Sequence, residues 1–183
     1  MMTSLSDFAA SERELLLSLP YKVGVFVSHA DDVDGEHDDE KEMGALEACI
    51  KAIARLHEDK PLSAEIMRGC LSEKAQWPRW AAQSFNTPEA AREAAILLEA
   101  RASESEFKNY RGALMEIATT VAQAYGEFDA FDEGESGGGF FGGLVSKIAG
   151  GFSALSADDV NHPMNVSAAE DGALAELRAA LSS

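Results

Sequence analysis

Glu42-Met43-Gly44-Ala45-Leu46-Glu47-Ala48-Cys49-Ile50-Lys51-Ala52-Ile53 is the stretch that decides the fold class. Met43, Leu46, Ile50 and Ile53 recur at spacings of three, four and three. That places them on one face of a helix, as a buried stripe requires. Nearly every other segment has the same helical period, and none alternates over strand length, so the expected fold is all-α. Toward the C-terminus this helix ends near His57-Glu58-Asp59-Lys60-Pro61, and Ser63 reads as the cap of a short helix through Cys70. Trp77 and Trp80 straddle Pro78 and read as core aromatics. Thr87-Pro88-Glu89 supplies an N-cap, a proline at the first helical position and an acid after it, opening a helix to about Arg101. Phe107, Tyr110, Leu114, Ile117, Val121 and Tyr125 predict a long core helix. Ser167-Ala168-Ala169-Glu170 is a capping box for a last helix with Ala173, Leu174, Leu177 and Leu181 inside.

Toward the N-terminus, residues 5–18 read as a first helix ending in Leu15-Leu16-Leu17. Pro20 suits the start of a second, because its missing N–H would have no partner there anyway. Val23, Phe26, Val27 and Ala30 give that second helix its stripe. It stops at an acidic stretch, with Gly35 marking a turn and a third helix restarting near Asp38 or Asp39. Acids in that first turn suit the helix dipole. The expectation is one domain over residues 1–183, with about seven to nine helices.

Composition limits the function classes. The chain has 183 residues, 46% of them apolar and 26% charged, enough for one core. Its net charge is −17, from 32 acids and 15 bases, with no cluster of four Lys or Arg. A nucleic-acid partner needs cations to displace counterions, so nucleic acid is excluded as a partner. Attraction to anionic lipid by charge is disfavoured on the same ground. Cys49 and Cys70 form no CxxC, which excludes a zinc knuckle, and their helical settings predict buried thiols over a disulfide. The N-terminus shows no signal-peptide pattern and no run of 18 apolar residues occurs, so a cytoplasmic location is expected.

One segment departs from the helical pattern. Residues 134–151 hold eight of the fifteen glycines, and 129–164 read as an insertion or flexible segment before the last helix. Within it Phe140, Phe141, Leu144, Val145, Ile148 and Phe152 can share one face of a short helix. Three roles are open: folding back on the core, contact with a protein partner, or peripheral membrane contact through 140–154.

The two ends of the chain resemble each other. Glu42-Met-Gly44-Ala45-Leu46 and Glu170-Asp-Gly172-Ala173-Leu174 agree at four of five positions, offset by 128 residues. Each is preceded by an apolar helix running into glycine and acids. A duplicated helix–acidic turn–helix unit explains this economically, while chance in an Ala-rich chain is the alternative. The order helix, Ala30-x-x-x-Asp34-Gly35, then a helix opened by Glu40-Lys41-Glu42 resembles the TerB-like family, named for the tellurite-resistance protein TerB. The resemblance covers residues 20–56 well and 106–182 loosely. It implies an all-helical domain of two pseudo-symmetric halves, metal binding and a place in stress response. The second copy departs from the pattern, with Tyr125-Gly126 where Asp-Gly would stand.

The acids of the turn are the candidate site. Asp31, Asp32, Asp34, Glu36, Asp38, Asp39, Glu40 and Glu42 make eight acids in twelve positions, offset only by Lys41. Like charges 4 Å apart repel by about 1 kcal/mol per pair even in water. A divalent cation would relieve this, and carboxylate oxygens favour Ca²⁺ first, then Mg²⁺ or Mn²⁺. An EF-hand is excluded: with Gly35 at loop position 6, Ala30 falls at position 1 and Lys41 at position 12. Another geometry would draw on Asp31, Asp34, Glu40 and Glu42, and the family architecture would add Glu127, Asp129 or Glu170. The alternative is a solvated acidic loop that caps the third helix. His29 and His37 flank the cluster and are a weak basis for a Zn²⁺ or Ni²⁺ site. No nucleophile elbow or phosphate loop occurs, so a non-enzymatic role is expected, with metal-assisted hydrolysis the residual alternative. The expected function is cation binding at the acidic turn combined with an interaction role. The alternative is a metal-free protein whose tethered apolar segment contacts a partner.

Overall fold

The computed structural model describes residues 2–31, 39–128 and 167–182. Its axis is α1, Ala10–Ser28, which is buried on almost every side from Leu16 onward. A helix apolar all round has to sit inside, and α1 does. Around it run α2 (Asp39–Leu56), α3 (Pro61–Ser72), α4 (Trp77–Ala82), α5 (Thr87–Arg101), α6 (Glu104–Phe128) and α7 (Ala168–Ala180), all of which pack on it. The described residues form seven α-helices and short 3-10 turns, with no strand, so the fold is all-α. Among them no helix is long and apolar enough to cross a membrane.

The expected break at Pro20 does not occur. A 3-10 turn, Leu5–Asp7, precedes α1, and α1 then runs straight through Pro20. A proline inside a helix removes one N–H and strands the carbonyl four residues back, at a cost of about 3 kcal/mol. Here that carbonyl belongs to Leu16, and the Tyr110 hydroxyl of α6 donates to it at 2.9 Å. Tyr110 is fully buried, so a residue 94 positions away supplies the bond that α1 cannot make itself.

Other expectations hold or shift locally. Leu46, Ile50 and Ile53 are buried and Met43 is half-buried. Trp77 and Trp80 are core residues; the Trp77 ring stacks on Tyr21 with centroids 4.3 Å apart, and its Nε1 donates to the Cys70 carbonyl. Both cysteines are free and buried. Ser63 does not cap α3, which starts at Pro61; its side chain is buried against His57 instead. Thr87 is the first residue of α5 and Asn86 its N-cap, one position earlier than expected. The Ser167–Glu170 capping box opens α7, with both reciprocal bonds formed at 3.0 and 3.2 Å. The 129–164 segment lies outside the described residues.

The two similar pentapeptides occupy comparable positions. Each lies near the start of its helix, Leu46 and Leu174 are buried, and Gly44 and Gly172 face open space.

Candidate functional site

Asp31 ends the 3-10 turn His29–Asp31, Glu40 and Glu42 stand at the start of α2, Glu127 lies in the last turn of α6, and Glu170 is the third residue of α7. Asp34, Asp129 and His37 lie outside the described residues. The topology brings the supporting elements together: the His29–Asp31 turn packs against α7, α6 against α7, and α2 against α6. The Glu170 side chain is buried and caps α7 by accepting from the Ser167 N–H. Among the described residues no three His, Cys, Asp or Glu side chains are grouped to hold a metal ion.

A groove opens beside this region. It lies between the end of α1, the His29–Asp31 turn, the 3-10 turn Ser84–Asn86 and the first half of α7, with a volume of about 600 Å³. Phe26, Ala30, Phe85 and Ala173 give it apolar walls, and Glu176 adds a negative charge. Phe85 is 79% exposed on the rim of this groove. The turn that carries Phe85 is pinned. Buried Lys22 of α1 donates from Nζ to Asn86 Oδ1 at 2.9 Å, and the Thr87 hydroxyl donates to the Ser84 carbonyl. Burial lowers the pKa of the Lys22 ammonium, against the raising fields of Glu93 and Glu14. Gly172 forms part of the α7 wall, and a Cβ added there would meet nothing within 4 Å. The groove is an open depression beside the turn that carries Phe85.

A second polar group is internal. His57, the residue after α2, has Nδ1 3.0 Å from Ser63 Oγ and Nε2 3.0 Å from Glu116 Oε2 of α6. The residue types are those of a serine–histidine–acid relay, but the ring nitrogens are exchanged relative to the usual triad, and Ser63 is 1% exposed. The trio links the end of α2 to α3 and α6 through these hydrogen bonds. Cys49 lies near the same place. Burial pushes its thiol up to about 12, opposed by a hydrogen bond to Thr120 and reinforced by the Glu116 charge. Cys70 is likewise pushed up to about 12, by burial. Thiols held neutral in this way are unreactive.

Sequence reading singled out neither Phe85 nor the buried trio. The available signal for Phe85 was a lone aromatic between polar residues in the link Gln83-Ser84-Phe85-Asn86, just before a strong helix start. His57 and Glu116 are 59 positions apart and nothing local pairs them. In comparison with known proteins, no family model, curated protein or solved structure matches the chain.

Proposed function

We propose that this chain is a non-enzymatic helical interaction domain whose contact surface is the groove between the end of α1, the Ser84–Asn86 turn and α7. The observation that carries this reading is Phe85, 79% exposed on a turn anchored through Asn86 and Thr87. Aromatic side chains are enriched at protein interfaces, and a turn that is already held in place costs less to order when a partner binds. The test is site-specific photo-crosslinking in the native cells. A benzophenone side chain at Phe85 should give a discrete protein adduct that is lost when Gly172→Trp fills the groove. The same probe at Ile96, an exposed residue of α5, should not give it. No adduct from position 85, or the same adducts from both positions, would overturn the reading.

A second reading, the one implied by the resemblance to TerB-like domains, is divalent-cation binding at the acidic turn. It is favoured by the packing of the His29–Asp31 turn against α7, which joins the two regions that the duplication pairs. Asp31, Asp34, Glu40 and Glu42, with Glu127 from α6, would hold the ion; their oxygens suit Ca²⁺, then Mg²⁺ or Mn²⁺. Glu170 fits less well, since its carboxylate already caps α7. A thermal melt of chelator-stripped protein with single ions added tests this. A cation at 100 times its Kd stabilises by about 2.7 kcal/mol. For this chain length that amounts to roughly 5–10 °C. Loss of the shift in Asp34→Asn/Glu42→Gln would assign it to the turn, and no shift with any ion would remove the reading.

A further inference from the structure

We infer that the partner of this groove is a basic amphipathic helix: a protein segment that lays an apolar stripe against Phe26, Phe85 and Ala173 and sets a Lys or Arg against Glu176. This rests on the reading of the groove as a docking surface and names the chemistry that the surface accepts.

The first observation is charge. Glu176 lines the groove, and no Lys or Arg is among the described residues that do. Asp171, which directly precedes Gly172 on α7, is exposed as well. Among the described residues neither acid has an ion-pair partner. Lys22, the cation that holds the Phe85 turn, is buried and does not line the groove. A partner that brought a carboxylate or phosphate here would meet like charge with no cation on the walls to pair it. A Lys or Arg would gain Glu176. Opposite charges across an interface steer encounter, and like charges exclude the wrong partner. A second copy of this chain, with its own net charge of −17, is disfavoured on the same ground.

The second is shape. Ala169, Gly172, Ala173 and Glu176 stand at i, i+3, i+4 and i+7 along α7, and all four line the groove. Residues so spaced share one helix face. That face presents three small residues and then an acid, so an incoming backbone can come close to α7 and still reach a charge at the end of the contact. The Phe85 ring stands on the rim.

The third is the mode of recognition. The described residues contain no strand, so they offer no sheet edge to which an extended peptide could add. No Arg cluster is present on the walls to read a phosphorylated or acidic motif. Most of the lining is small, unlike the aromatic lining that a polyproline ligand docks against. A helix laid in a groove is the mode that apolar walls beside a single acid serve.

The experiment titrates three labelled synthetic helical peptides, of about 18 residues each, against the purified full chain by fluorescence anisotropy. The first has Leu at i, i+3, i+4 and i+7 and Lys at the flanking positions. The second carries Glu in place of each Lys, and the third keeps Lys but has Ser in place of each Leu. The first should bind roughly tenfold or more tightly than either of the others. Glu176→Lys should weaken it roughly fivefold or more. Glu99→Lys makes the same change in net charge at the far end of α5 and should leave the affinity within about twofold. Gly172→Trp should abolish binding, with circular dichroism confirming that the variants keep their helices. Preference for the Glu peptide, equal binding of the Ser peptide, equal effects of Glu176→Lys and Glu99→Lys, or no binding of any peptide would overturn the inference. In cells, the adduct from position 85 should map to a basic amphipathic segment and be lost in Glu176→Lys. An adduct on an acidic segment, within the chain itself or on a second copy, or one indifferent to Glu176→Lys, would refute the basic helix. In such cases a discrete protein adduct at position 85 that Gly172→Trp removes would leave the groove standing as a docking surface. If position 85 captures no protein, both readings fall.

Discussion

The central helix meets two neighbours in opposite ways. Against α2 the contact is sealed: a Cβ added at Gly24 would collide with the end of the Leu46 side chain, which would have to shift. Against α7 the contact is open: Phe26 and Ala30 look across a groove at Gly172, where a Cβ would touch nothing. A glycine in a helix gives up roughly 0.5–1 kcal/mol relative to alanine. At Gly24 the close approach of α2 offsets that loss. At Gly172 no contact does, and the small residue leaves the groove its depth. One crossing is closed by packing and the other is left open.

The sealed side should give the largest effect. Leu46→Ala should cost roughly 2–5 kcal/mol in denaturant unfolding, from lost burial plus the cavity left behind. Gly24→Ala should cost roughly 1–3 kcal/mol by overpacking. Combined, the two should be clearly less damaging than their sum, because the shortened side chain makes room for the new methyl. Strict additivity, or a neutral Gly24→Ala, would break the comparison at its sealed end.

Next comes the bond that lets α1 pass through Pro20. Tyr110→Phe removes the donor to the Leu16 carbonyl and leaves that carbonyl buried without it, which should cost about 1–3 kcal/mol. In a Pro20→Ala background the alanine N–H can take over the carbonyl, so the same substitution should cost much less. An equal cost in both backgrounds would mean that the hydroxyl does not compensate for Pro20.

These two sites also show how far the sequence was legible. The stripe of Leu46, Ile50 and Ile53 and the capping box at Ser167 are local patterns, and both were readable within a single helix. Pro20 was misread because a local rule counts the missing N–H, whereas the compensating hydroxyl, Tyr110, lies 94 residues from the Leu16 carbonyl it serves. Ser63 was misread for a similar reason: its hydroxyl bonds His57 across a helix junction, and the preceding Pro61 already opens α3. The acidic turn stood out by composition, yet of its proposed companions the structure describes the Glu170 side chain alone, as a cap. The groove was not readable at all, since it arises where four elements fail to fill the space between them.

The open side predicts the reverse sign. Gly172→Ala should stabilise by about 0.5–1 kcal/mol, the helix-propensity gain with no steric charge against it. The same change at Gly24 destabilises, so the pair measures the contrast directly. A destabilised Gly172→Ala would mean that the space at α7 is already filled.

The smallest effect lies far from the groove, near the start of α1. Burial tends to raise the pKa of the Glu106 carboxyl, but hydrogen bonds from the N–H and hydroxyl of Ser103 and of Thr3 outweigh it and hold the carboxyl at about 2. A carboxylate with a lowered folded pKa stabilises fully above its ordinary value near 4.5, and that share is lost as pH falls from there toward 2. Acid should therefore release the Thr3 clasp. Other carboxylates titrate in the same window, so the measure is the difference between the unaltered chain and Glu106→Gln. The gap in melting temperature should narrow from pH 6 to pH 2.5, and hydrogen exchange should quicken at residues 3–8 before it does in the turn that carries Phe85. Simultaneous loosening at both places would mean that the clasp and the groove belong to one cooperative unit.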